Sequence, residues 1–124
     1  MGMHIVYVGI GGLIGCIARF LVVSVMADLI SRGIPLGTLL VNVVGSVVIG
    51  VGAGLAERHE WMRQEWTIFI AAGFCGGFTT FSAFALENFQ FLLEKNYLAF
   101  GLYSLLSLVL CIAGVALGFM LATR

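Results

Sequence analysis

Between Leu98 and Leu121 the chain carries no charged residue. A segment of that kind has no polar face to turn towards water. In hydrocarbon every backbone N–H and C=O must be satisfied within the structure, which leaves an α-helix as the form a single such segment can take. A bilayer core of roughly 30 Å needs about 20 apolar residues in a helix. Three further segments reach that length, at about Met3–Ala27, Leu36–Ala56 and Trp66–Leu93. Composition agrees: 61% of residues are hydrophobic and 10% charged, against about a quarter charged in ordinary soluble domains. The expected fold is an all-α integral membrane protein with four transmembrane helices, residues 1–124 forming a single domain. No basic region precedes the first apolar run, and that run is too long for a signal peptide, so it is read as retained.

The connections are short: Asp28–Pro35 with its Gly33 and Pro35 breakers, Glu57–Glu65, and a turn at Glu94-Lys95-Asn96. Trp61, Trp66 and Tyr97 fall beside them, where interfacial aromatics are expected. With four spans both termini lie on one side. Arg58, Arg63 and Arg124 share that side; Arg32 and Lys95 lie on the other, with Arg19 leaning towards Arg32. The positive-inside rule finds no bias here. Such a chain can insert both ways, and the two orientations can then pair, so dual topology is expected.

Composition also excludes classes of function. Lys+Arg and Asp+Glu balance at six each, so no basic surface invites nucleic acid. No Ser/His/Asp set, paired-carboxylate site or metal-ligand cluster is visible, and neither His4 nor His59 has a carboxylate arranged around it; an enzyme is not expected. Cys16, Cys75 and Cys111 all lie in apolar segments without a Cys-x-x-Cys pair and read as small hydrophobes. The run Gly9-Ile-Gly-Gly-Leu-Ile-Gly15 has the look of a dinucleotide-binding loop but lacks the strand context that motif needs. Gly11/Gly15 and Gly50/Gly54 are small-xxx-small pairs that allow close helix approach.

The third span contains a defect. From Gly73 to Asn88 it reads Gly-Phe-Cys-Gly-Gly-Phe-Thr-Thr-Phe-Ser-Ala-Phe-Ala-Leu-Glu-Asn. Gly76 and Gly77 each lower helix propensity by about 1 kcal/mol relative to alanine. Thr79, Thr80 and Ser82 carry hydroxyls that compete for the backbone. Phe78, Phe81 and Phe84 would share one side of an unbroken helix. A break at membrane depth is tolerated only where protein buries it or where it lines a polar path.

Other polar groups lie within the spans. Arg19 either snorkels to the interface or stands at a pore mouth and concentrates anions. Asn42, one turn after Thr38, either bridges two helices or presents its amide hydrogens to an anion. Glu87 can bind a cation, relay protons or accept from a backbone donor. Tyr103, Ser107 and Cys111 form a thin stripe on the fourth span. Phenyl rings have positive edges, so Phe81 and Phe84 can face a small anion or simply pack.

Taken together, these motifs resemble the Fluc/CrcB family of fluoride channels. The resemblance rests on Gly11-Gly12-x-x-Gly15-x-x-x-Arg19, Gly37-Thr38-Leu39-x-Val41-Asn42-x-x-Gly45-Ser46, the Gly73–Glu87 block and the Tyr103/Ser107 stripe, and it spans the whole chain. It implies a fluoride-selective channel of the cell (inner) membrane that exports cytoplasmic fluoride by passive electrodiffusion. It also implies an antiparallel homodimer with two pores, each lined by both subunits. Phe81 and Phe84 would offer ring edges, and Asn42 a donor. Thr38, Ser82, Tyr103 and Ser107 would form a polar track, and Arg19 would serve the vestibule. A structural sodium ion is implied at the dimer centre, on the backbone carbonyls of Gly76 and Thr79 from each subunit. Two unit charges ~10 Å apart at an effective dielectric of ~20 interact by ~1.7 kcal/mol. Sodium alone therefore cannot offset fluoride dehydration.

The chain departs from the family pattern at Ala83 and Cys111, where hydroxyl-bearing residues are common. Two rivals stand beside this reading. One is a small four-span multidrug/proton exchanger, which would need an embedded carboxylate in its first span where this chain has Arg19. The other is a non-transporting membrane scaffold.

Overall fold

The computed structural model describes residues 1–29 and 33–124. Arg32, counted in the charge balance above, lies outside the described residues. Every regular element among the described residues is helical: α1 (Gly2–Leu29), α2 (Leu36–Arg58), α3 (Glu65–Thr67), a π-helical segment (Ile68–Cys75), α4 (Gly76–Phe78), α5 (Phe81–Leu93) and α6 (Tyr97–Ala122), with a 3₁₀ turn at Glu60–Met62. Four spans are long and apolar enough to cross a membrane: Gly2–Ala27, Leu36–Arg58, Glu65–Leu93 and Tyr97–Ala122. Each expected span is present, with ends shifted by a few residues.

Two glycine seams hold the bundle. On α1, a Cβ added at Gly11 would lie 2.7 Å from the Phe69 carbonyl oxygen, and one at Gly15 would collide with that of Phe74. From the facing side, a Cβ at Gly77 would lie 2.6 Å from the Gly12 carbonyl oxygen. The second seam joins α2 to α6. Gly50 packs on Val115 and Gly118 on Val47, both backbone to backbone, while a Cβ at Gly54 would come within 2.9 Å of the Phe119 carbonyl oxygen. Between helices in lipid, packing of this kind replaces the hydrophobic driving force that water would supply. Both small-xxx-small pairs read from the sequence are used, and α6 answers with Gly114 and Gly118.

The turn between α5 and α6 is closed locally. Asn96 N–H donates to the Phe91 carbonyl at 2.8 Å and Lys95 N–H to that of Leu92 at 3.1 Å, a Schellman pattern. Lys95 takes the left-handed position at φ 57°. Asn96 then caps the next helix, its Oδ1 accepting from Ala99 N–H at 3.2 Å.

The third span breaks two residues beyond its glycines. Gly76 and Gly77 are helical, whereas Thr79 (φ −88°, ψ 160°) and Thr80 (φ −152°, ψ 120°) are extended. Gly77 is small because α1 lies against it, whereas Gly76 is exposed and meets no atom of α1; the threonines break the ladder because their hydroxyls and Asn42 replace its hydrogen bonds. The break also splits the phenylalanine row. Phe78 stays buried at 6% exposure and stacks on Phe74 at 5.2 Å, while Phe81 is 77% exposed. The three rings therefore do not share one side.

Candidate functional site

Asn42 organises the break. Its Oδ1 accepts from Thr80 N–H at 2.8 Å, and its Nδ2 donates to the Thr80 carbonyl at 3.1 Å. The side chain thus pairs with the N–H and C=O of one residue, as a neighbouring strand would. Thr80 Oγ1 in turn accepts from Ala83 N–H at 3.1 Å and caps α5. Two backbone donors are consequently diverted. Thr80 N–H would ordinarily serve Gly76 O, and Ala83 N–H would serve Thr79 O. Both carbonyls are left without a hydrogen bond among the described residues. The Gly77 carbonyl, also freed, accepts from Arg19 Nε at 3.0 Å.

A cavity of about 400 Å³ opens beside the break. Asn42, Ser46, Thr80, Phe81, Phe84, Ser104 and Ser107 line it, with Cys75 and Cys111. Its polar equipment is mostly neutral. Asn42 has two amide hydrogens and uses one on Thr80, so one remains. Ser107 Oγ is buried, at 7% residue exposure, and has no hydrogen-bond partner among the described residues. A buried hydroxyl without a partner is costly, and its presence on a cavity wall points to something the cavity receives. The N-terminus of α5 lies at the same place and carries the positive end of a helix dipole. Donors and a helix N-terminus, with no fixed charge on the wall, suit a small anion.

Next to the cavity stands a carboxylate with two hydroxyl donors. Thr38 Oγ1 donates to Glu87 Oε2 at 2.9 Å, and Tyr103 Oη donates to Oε1 at 3.1 Å. Each hydroxyl has one hydrogen, and here both are directed at Glu87. A row of rings joins the two regions: Phe81 to Phe84 at 5.5 Å, then Phe84 to Tyr103 at 5.2 Å.

The residues singled out in the sequence are thus distributed over three neighbouring places. Asn42, Phe81, Phe84 and Ser107 meet at the cavity. Thr38 and Tyr103 meet at Glu87. Arg19 reaches the break itself and is half-buried. Ser82 is exposed, with its Oγ 3.3 Å from Thr80 Oγ1, and it does not line the cavity. Sequence reading passed over Ser46, Ser104 and the capping role of Thr80. Ser46 was accessible in principle, since it lies one turn after Asn42 and continues the row from Thr38.

Fold and site define a class: a small four-span membrane protein with an interrupted third helix and an uncharged donor-lined cavity at the interruption. The profile of the family described as "CrcB-like protein, Camphor Resistance (CrcB)" matches residues 6–119, and the chain belongs to that family. Curated relatives match over most of its length. A protein named "Fluoride-specific ion channel FluC" from Azobacteroides pseudotrichonymphae is 42% identical over 92% of this chain and 91% of its own. Proteins of the same name from Geobacter sulfurreducens and Vibrio cholerae are each 39% identical. The first match covers 97% of both chains, the second 91% of this one and 90% of its own.

Proposed function

We propose that this chain is a fluoride-specific ion channel of the cell inner membrane that lets cytoplasmic fluoride out by passive electrodiffusion. The names of its relatives point to fluoride. The observation that carries the reading is the cavity at the break, where a spare Asn42 hydrogen and the unpartnered Ser107 hydroxyl meet two phenylalanines. Fluoride is small and strongly hydrated, so a pathway must return hydrogen bonds as water leaves. Phe81 and Phe84 contribute the positive edges of their rings. Thr38, Tyr103 and Ser82 extend the polar track, the first two when their hydroxyls turn from Glu87, and Arg19 raises the local anion concentration.

The functional unit is an antiparallel homodimer with two pores. Phe81 is 77% exposed beside a cavity that is open on one side of the single chain, and a second copy would complete that wall. The even distribution of cations about the membrane supports pairing of opposite orientations. The free carbonyls of Gly76 and Thr79 fit a structural sodium ion, because hard cations take oxygen ligands and a two-fold axis doubles two carbonyls into four. Sodium bound there would supply positive potential between the pores.

Purified protein in liposomes loaded with fluoride tests the proposal directly. Electrogenic fluoride efflux, with chloride retained and no requirement for a proton gradient, is the expected result. Drug–proton exchange in place of efflux would establish the exporter, and no flux of either kind the scaffold.

A further inference from the structure

A second cavity, of about 270 Å³, opens where the third span begins and is lined by Tyr7, Glu65, Trp66 and Phe69. Three aromatic rings and one carboxylate make up its wall. Trp66 and Phe69 stand at 79° to each other with centroids 6.1 Å apart, so they form two sides of a corner. Tyr7 comes from α1 and is held against them by the first glycine seam. A Cβ at Gly73 would lie 3.2 Å from the Tyr7 carbonyl oxygen, and one at Gly11 would lie 2.7 Å from that of Phe69. Backbone packing therefore brings α1 and the start of the third span close together at this cavity. Neither Tyr7 Oη nor the Glu65 carboxylate has a hydrogen-bond partner among the described side chains.

Aromatic faces are negative and attract cations, most strongly when water is excluded. A carboxylate beside them adds charge of the same sense. Depth in the membrane narrows the choice of cation. Glu65 is the first residue of the Glu65–Leu93 span, and tryptophan prefers the headgroup level. Cations at that level belong in large part to lipid headgroups. We infer that this cavity binds the ammonium headgroup of phosphatidylethanolamine. A primary ammonium brings three N–H donors, which the Glu65 carboxylate and Tyr7 Oη can accept, while the rings take the remaining positive surface. The quaternary ammonium of a choline lipid engages the rings and the Glu65 charge but offers no N–H to those two acceptors. The inference stands independently of which ion the channel carries.

Native mass spectrometry of the purified protein, with defined lipids added at equal concentration, tests it. Phosphatidylethanolamine is expected to be retained several-fold more than phosphatidylglycerol of the same acyl chains, with phosphatidylcholine between them. Glu65→Gln is expected to weaken the ethanolamine lipid about tenfold, because the amide oxygen still accepts but no longer carries the charge that strengthens a bond to an ammonium, and to leave phosphatidylglycerol unchanged. Trp66→Leu should reduce binding several-fold by removing one ring face. Should Trp66→Leu fail to fold, Glu65→Gln at an exposed position decides the matter alone. Equal retention of the ethanolamine and glycerol lipids, or a Glu65→Gln protein that binds like the parent, overturns the inference. Displacement of the lipid by millimolar free ethanolamine would reassign the cavity to a soluble amine, and preference for phosphatidylcholine would remove the role given to N–H donors.

Discussion

Asn42 pairs with both backbone polar groups of Thr80, and this makes its removal expensive in a way that its sequence position does not reveal. Asn42→Ala leaves Thr80 N–H unpaired, while the Thr80 C=O, as the N-cap carbonyl of α5, keeps the first helical N–H. An orphaned buried group costs about 1–3 kcal/mol, so a clear fall in the thermal midpoint in detergent is expected alongside loss of fluoride flux. Ser107→Ala should behave differently. Its hydroxyl has no partner to lose, so thermal stability is expected to hold or rise slightly while flux falls. A Ser107→Ala protein with parental flux would take that hydroxyl out of the pathway. Phe81→Ile is expected to abolish flux and leave the subunit folded, since a ring 77% exposed contributes little to the subunit's own packing; the proposed dimer should also stay assembled, because isoleucine keeps an apolar side chain on the face a second copy would cover. The sequence offered bridging and anion donation as rival readings of Asn42. The amide has hydrogens enough for both, one on Thr80 and one facing the cavity. That resolution depends on which backbone lies opposite, which no single-sequence pattern encodes. The Glu87 partnership with Thr38 and Tyr103 was invisible for the same reason: it joins three helices.

At the scale of elements, the apolar spans and their order were legible because length and composition decide them. The position of the break was legible only to within a few residues. Helix propensity pointed to Gly76 and Gly77, yet both remain helical, and Gly77 serves the close approach of α1. The hydroxyl competition attributed to the threonines was the better local signal. Two substitutions on α2 separate glycine packing from glycine propensity. Gly54→Ala puts a methyl 2.7 Å from Ala122 Cβ and 2.9 Å from the Phe119 carbonyl oxygen, so the thermal midpoint should drop. Gly52→Ala meets only Ile70 Cγ2 at 3.4 Å and gains up to about 1 kcal/mol in helix propensity; its midpoint should hold or rise. Equal effects would mean that the α2–α6 seam does not set stability. At the α5–α6 turn, Lys95→Gly removes a side chain from a left-handed residue. Relief of roughly 1 kcal/mol is expected there, read as a raised midpoint with unchanged flux.

For the whole molecule the decisive quantity is the balance of charge across the membrane, because the proposed pores need both orientations. Arg58 is committed to the Ala122 and Arg124 carbonyls and Arg63 to that of Ala56. Topology is therefore better altered at Glu57, Glu60 and Glu94, none of which forms a side-chain hydrogen bond among the described residues. Glu94→Lys adds a cation beside Lys95 and should hold that turn in the cytoplasm; Glu57→Lys with Glu60→Lys adds two on the opposite side and should hold the termini there. A C-terminal reporter is expected on both sides of the membrane for the parent and on a single, opposite side for each variant. Neither variant expressed alone should protect cells from fluoride, since each supplies one orientation, whereas co-expression should restore protection. Full activity from a variant whose reporter lies wholly on one side would rule out the antiparallel dimer. It would also require the exposed face around Phe81 to be covered by something other than an inverted copy of the chain.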